Sequence, residues 1–88
     1  MDHIILIENM DFGDATKTIA AGDRIIWQNN DAMGHSAVRE TVPTFDTGII
    51  EKGQRSEPVE FLNPTSAEGI EYHCRQHPFM RARIVVTP

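Results

Sequence analysis

Apolar and β-branched residues recur along this chain in short runs that alternate with polar positions. The clearest alternation is in residues 81–87, where Ala82, Ile84 and Val86 fall on one face and Arg81 and Arg83 on the other. Clusters of Gly, Pro, Asn and Asp separate the runs, and no segment keeps a helical period for long. This pattern is typical of strands joined by turns, so it predicts an all-β chain.

The pattern places candidate strands at residues 3–9, 17–20, 24–29, 36–40, 48–50, 56–61, 69–74 and 81–87. Turns are expected at residues 11–14, 21–23, 30–34, 51–54 and 63–68, and the segment between Glu40 and Phe45 gives no clear assignment. We therefore predict one domain over residues 1–88, folded as an all-β Greek-key β-sandwich of about seven to eight strands.

Strand parity predicts which side chains face the core, because successive residues of a strand point to opposite faces. If Cys74 faces inward, Tyr72 shares its face and His73 points to solvent. Met80 likewise shares a face with Ala82 at the start of the last strand. Both sulfur atoms are therefore expected on the inner side, and Trp27 is expected to be the largest core residue.

Three residues near the C-terminal end carry metal-binding side chains at three-residue intervals: Cys74, His77 and Met80. Soft sulfur donors select copper over magnesium, calcium or manganese, and a trigonal His2Cys set with a long axial Met is typical of an electron-transfer centre. The second imidazole of such a set would come from His35, in the segment Ala-Met-Gly-His-Ser. A fold that brings distant loops together is needed for this arrangement.

The segment 72–80, Tyr-His-Cys-Arg-Gln-His-Pro-Phe-Met, resembles the ligand loop of the small cupredoxins, in the amicyanin and plastocyanin group. Residues 22–29, Gly-Asp-Arg-Ile-Ile-Trp-Gln-Asn, and residues 45–48, Phe-Asp-Thr-Gly, agree with the same group. The resemblance implies a cupredoxin-like domain with one type 1 copper ion bound by His35, Cys74, His77 and Met80. It also implies a mobile one-electron carrier whose electron leaves through an exposed His77.

The resemblance assigns supporting roles to two further residues. The backbone amide of Ser36 would donate to the Cys74 sulfur, and hydrogen bonds of this kind tune the metal. Asn29 would tie the two ligand loops together. An Asn that merely ends a strand is an equally good interpretation of the same position.

The charge and cysteine content narrow the function. The net charge is −5, divided into +3 for residues 72–88 and −8 for the rest, and an acidic body argues against nucleic acid as a partner. A single Cys excludes an internal disulfide, so a bound metal is the natural source of extra stability.

No apolar stretch is long enough to span a bilayer, and a monomer is expected. The resemblance implies a periplasmic or otherwise exported protein. Either a leader was removed from the sequence shown, with Met1 an expression start, or the protein works in an unusual place.

A surface for redox partners is expected around the second imidazole. Ala32, Met33, Pro78 and Phe79 could form an apolar patch on which an electron donor and an electron acceptor dock transiently. Ordinary core packing is the alternative for Met33 and Phe79.

Other functions fit the residues less well. A copper-binding or delivery module without a carrier role could use the same four donors. A structural zinc site is disfavoured by Met80, since zinc takes Cys, His or carboxylate donors. Catalysis would need a further metal cluster that the remaining His residues do not supply, so no enzyme is expected. His3 could chelate a metal with the terminal amine, but a strand position is the preferred interpretation.

Overall fold

The computed structural model describes residues 1–88, which form strands, turns and irregular segments. It has no helix with the length and apolar character needed to cross a membrane. The strands are β1 (Asp2–Glu8), β2 (Asp11–Phe12), β3 (Thr16–Ala20), β4 (Arg24–Asn29), β5 (Val38–Arg39), β6 (Phe45–Asp46), β7 (Val59–Glu60), β8 (Ile70–His73) and β9 (Arg81–Thr87).

The strands form two sheets, with the orders β2-β1-β4-β7 and β3-β9-β8-β5-β6. Strands β1 and β4 pair in parallel, as do β3 and β9, although each pair is separated in sequence. Parallel neighbours cannot be joined by a tight hairpin, so the chain must cross over between them. This architecture confirms the predicted β-sandwich.

The core lies between the two sheets and is built by strand alternation. In β1, Ile5 and Ile7 are buried while Leu6 between them is exposed. Trp27 is fully buried and is the largest core side chain, as predicted. Its indole Nε1 donates to the Tyr72 hydroxyl at 3.2 Å, so the buried polar ends of both rings have a partner. Burial raises the pKa of Tyr72 above its usual value.

The predicted strands agree with the structure except at short elements. The strand predicted at 24–29 and the one at 81–87 have the observed bounds. Strands β2 and β6 were not predicted, because two residues are too few to show a period. The strand predicted at 48–50 is reduced to a single bridge between Ile50 and His35, so that prediction was wrong.

Gly69 sets the start of β8. Its φ is +76°, a left-handed conformation, and a Cβ at this position would collide with the carbonyl oxygen of Ile84. The next residue, Ile70, is paired with Ile84 of β9. The backbone of the turn therefore lies directly against β9, which fixes the register between β8 and β9.

Candidate metal centre

Residues 74–80 form the loop that joins β8 to β9. The last strand pair before the loop is His73 with Arg81. Inside it, the Cys74 amide donates to the Met80 carbonyl at 3.1 Å, and the Met80 amide donates to the His77 carbonyl at 2.9 Å. These two hydrogen bonds fold the loop so that Cys74, His77 and Met80 are held in one short turn.

His35 comes from a separate loop that is fixed by buried hydrogen bonds. Its backbone pairs with Ile50 through hydrogen bonds of 3.1 and 2.6 Å. The side-chain amide of Asn29 donates to the carbonyls of Met33 and Ile50, both at 2.7 Å. Asn29 thus ties the His35 loop to the segment that carries Ile50. The prediction that it joins the two ligand loops was wrong, because neither bond reaches residues 74–80.

The structure brings three of the predicted donors together. The Cys74 Sγ lies 3.6 Å from His35 Nδ1 and 3.8 Å from His77 Nδ1. The three donor atoms all lie within 4.8 Å of one another. Metal bonds of about 2.3 Å to sulfur and about 2.0 Å to nitrogen, at about 120°, would separate the donors by about 3.7 Å. The spacing therefore fits a trigonal site around one ion.

The fourth predicted donor, Met80, is buried at the end of the same loop. It precedes Ala82 on the inner face of β9, as the parity of the strand predicted. His2Cys with an axial Met is the donor set of a type 1 copper site. The axial role of Met80 stays a prediction.

The sulfur of Cys74 has hydrogen-bonding neighbours on the side of the His35 loop. The Ser36 amide donates to Cys74 Sγ at 3.5 Å, which confirms that prediction. The Ser36 hydroxyl also accepts from the Arg75 amide at 3.1 Å. Ser36 therefore connects the two loops that carry the donors.

Sequence reasoning missed Asp31, which supports His35 from behind. Its carboxylate accepts from His35 Nε2 at 2.9 Å and from the amides of Asn9 and Met10 at 2.7 and 2.8 Å. Burial acts to raise the pKa of Asp31, but the hydrogen bonds from Met10, His35 and Asn9 hold it below its usual value.

The Asp31 contact also fixes the tautomer of His35. Because a carboxylate only accepts, Nε2 of His35 carries a proton, and in the neutral imidazole Nδ1 then has the lone pair that faces Cys74. Metal-binding imidazoles commonly donate their other N–H to a carboxylate. An Asp four residues before His35 was the available signal in the sequence.

The two remaining histidines lie away from this cluster. His73 points to the outer face of β8, where its Nε2 is 3.5 Å from a carboxylate oxygen of Glu40, so its predicted surface position is confirmed. His3 lies in β1, and its Nε2 bonds to Asp23 at 2.9 Å. The strand interpretation of His3 is therefore confirmed.

Four apolar residues near the donors in sequence are exposed. Met33 is 51% exposed and Phe79 is 69% exposed, so neither is a core residue. Ala32 and Pro78 are exposed as well, and we use the name donor-end patch for these four residues. His77 is half-buried rather than fully exposed, and its ring lies 6.0 Å from that of Phe79.

Arg75 does not offer a free charge beside the donor-end patch, since it is paired with Asp46 at 2.8 Å. A groove of about 470 Å³ between Val42 and Leu62 is lined by none of the four predicted donors. The groove is therefore separate from the donor cluster, three of whose four members are buried.

Comparison with known proteins gives consistent sequence relatives. The chain is 28% identical over 83 residues to the amicyanin of Paracoccus denitrificans, covering 94% of this chain and 63% of that protein. It is 29% identical to the amicyanin of Paracoccus versutus with the same coverage, and 26% identical to amicyanin-alpha of Methylorubrum extorquens. The chain thus spans less than two thirds of the length of the Paracoccus amicyanins. No family model matches the chain.

Solved structures share the fold. A reduced amicyanin variant superposes with a TM-score of 0.86 at 24% identity, covering 96% of this chain and 80% of that one. A reduced Cu(I) form of another amicyanin variant gives a TM-score of 0.85 at 26% identity, covering 94% of this chain and 79% of that one. These findings show that the chain is similar to the amicyanins in sequence and in fold.

Proposed function

We propose that residues 1–88 form one domain that acts as a mobile one-electron carrier. The observation that carries this proposal is the convergence of Cys74 Sγ with the Nδ1 atoms of His35 and His77. Met80 would complete the donor set through its thioether sulfur. A bound copper ion would supply a one-electron couple between Cu(II) and Cu(I).

The protein groups would hold the ion in one geometry for both oxidation states. Cys74 would bind as the thiolate, and both histidines would bind through Nδ1 as neutral imidazoles. His35 is wholly buried and fixed by Asp31, so it cannot move with the ion. Little rearrangement would then oppose electron transfer.

His77 is the proposed exit for the electron, because it is the one imidazole of the site that reaches solvent. The donor-end patch surrounds it and would seat a reduced redox protein and, later, an oxidised one. Encounters of this kind are small and short-lived. The carrier would have no substrate of its own and would not be an enzyme. By analogy with its relatives we place it in the periplasm or another exported location, as a monomer.

The metal site is tested by adding Cu(II) to the metal-free protein. We expect one copper per chain and an intense blue thiolate band, with a matching EPR signal. Cys74→Ser should abolish the band, whereas His73→Ala, which changes the neighbouring imidazole on the outer face, should keep it. A wild-type protein that binds Cu(II) without the band would overturn the proposal.

The docking role is tested by the rate of electron self-exchange, measured by NMR line broadening. Met33→Ala with Phe79→Ala should slow the exchange about tenfold, because the apolar contact at the donor end is lost. Leu62→Ala is the matched control, since Leu62 is 66% exposed but lies in the groove away from the donors. Equal slowing by both changes would contradict the assignment of the patch.

A copper-delivery role makes a different prediction for the same protein. A carrier should retain copper through repeated cycles of reduction and oxidation. A delivery protein should pass Cu(I) rapidly to a competing chelator. Loss of most of the copper within a few cycles would favour delivery.

A further inference from the structure

The side-chain amide of Gln76 lies against the sulfur of Cys74. Its Oε1 is 3.5 Å from Cys74 Sγ and 2.9 Å from the Ser36 hydroxyl. Gln76 is exposed as a residue, but the end of its side chain turns inward to this contact. The amide therefore bridges the sulfur and the loop that carries His35.

The protonation state of the sulfur decides which end of the amide faces it. A thiol can donate to Oε1, whereas a thiolate can only accept. A half-turn of the carboxamide exchanges Oε1 for Nε2 at nearly the same position. The Gln76 amide can then donate to a thiolate without any movement of the backbone.

The groups around the Gln76 amide can accept its hydrogen bonds when Nε2 faces the sulfur. The amide nitrogen has two N–H groups, and two acceptors lie within reach of it: the sulfur and the Ser36 hydroxyl. That hydroxyl already accepts from the Arg75 amide at 3.1 Å and has a second lone pair for Gln76. Both N–H groups of the Gln76 amide would then have an acceptor.

We propose that Gln76 is a positioning residue whose side-chain N–H donates to the Cys74 thiolate and raises the reduction potential. The inference rests on the proposed copper function. Hydrogen bonds around the Cys sulfur tune the potential of such sites. A donor stabilises negative charge on sulfur, and the thiolate carries more of that charge beside Cu(I) than beside Cu(II). The Gln76 bond would therefore favour the reduced protein.

The test measures the reduction potential of the copper-loaded protein and of three variants. Gln76→Leu removes the N–H donor but keeps the backbone. It should shift the equilibrium about tenfold toward the oxidised form, a fall of about 59 mV for a one-electron couple. Ser36→Ala keeps the backbone amide that bonds to the sulfur but releases the Gln76 amide, so a smaller fall is expected. Gln54→Leu, at an exposed position, is the matched control and should not change the potential.

A second measurement separates a hydrogen bond from a packing effect. In the reduced, diamagnetic protein, one side-chain N–H proton of Gln76 should show a displaced NMR shift that Ser36→Ala weakens. An unchanged or raised potential in Gln76→Leu, with the blue band intact, would overturn the inference and leave the carrier function standing. Absence of the blue band in the wild type would overturn the carrier function and the inference with it.

Discussion

Two histidines of this molecule bond to an aspartate at the same distance, yet only one lies in the metal centre. His35 Nε2 is 2.9 Å from Asp31, and His3 Nε2 is 2.9 Å from Asp23. Both carboxylates also accept backbone amides. The contact between imidazole and carboxylate is therefore the same in the two regions.

The two regions differ in the surroundings of the imidazole on the side away from the carboxylate. His35 has no exposed surface, and its second nitrogen faces the Cys74 sulfur at 3.6 Å. The His3 side chain is 19% exposed, and its carboxylate partner also bonds the terminal ammonium group. The Asp23–His3 pair is thus a structural contact, whereas the Asp31–His35 pair supports a metal donor. The group that faces the second ring nitrogen decides between these two roles.

The largest expected difference between the pairs is in the colour of the copper-loaded protein. His35→Ala should lose the blue band, because the trigonal donor set is broken. His3→Ala should keep it. The visible spectrum after Cu(II) addition measures both. If His3→Ala also lost the band, the distinction between the two pairs would be wrong.

A smaller difference is expected in the stability of the metal-free protein. Asp31→Ala removes the acceptor of the Asn9 and Met10 amides and of the buried His35 ring. Leaving the buried His35 ring and the partly buried Met10 amide without this acceptor should lower the free energy of unfolding by about 2 kcal/mol. Asp23→Ala should have a smaller effect, since its partners are closer to solvent. Urea unfolding of both variants checks the order, and a larger loss for Asp23→Ala would contradict it.

The smallest expected effect is the pH dependence of stability at the His3 pair. The hydrogen bond from His3, followed by those from the Ala20 amide and the terminal ammonium, lowers the pKa of Asp23 from 3.8 to about 2. A lowered folded-state pKa contributes stability that is complete above the unfolded pKa and is lost as the pH falls toward the folded one. The stabilisation should therefore disappear between about pH 4 and pH 2.

Thermal unfolding of the metal-free wild type and of Asp23→Asn measures this contribution. The difference between the two proteins should be constant above pH 4 and should shrink toward pH 2. A difference that stayed constant across the range would show that the ionised Asp23 carboxylate is not what stabilises this region.

The parts of the site that were predicted are those encoded by neighbouring residues. Cys74, His77 and Met80 lie in one hairpin loop, so their spacing in sequence is almost their arrangement in space. His35 was placed with them because the donor set lacked a second imidazole and because the chain resembles the cupredoxins; no local pattern connects it to residues 74–80. The long strands β4 and β9 were predicted because their alternation extends over enough residues to be recognised.

The parts that were missed depend on contacts between distant segments. Strands β2 and β6 exist because β1 and β5, respectively, offer them backbone partners. Asp31 joins the turn at Asn9 and Met10 to His35, and its position four residues before His35 does not reveal the contacts with Asn9 and Met10. In the sequence Gln76 has no feature that distinguishes it from other polar loop residues, because its contact with Ser36 forms only in the fold.

The glycine at the start of β8 has a consequence for the thiol five positions later. Successive side chains of a strand point to opposite faces of the sheet. The pairing of Ile70 therefore also determines whether the Cys74 side chain points into the core or away from it. A methyl group at Gly69 would push against the neighbouring backbone and unsettle that choice. Gly69, where a side chain is least tolerated, thus determines the direction of the Cys74 sulfur, although it contacts none of the donors.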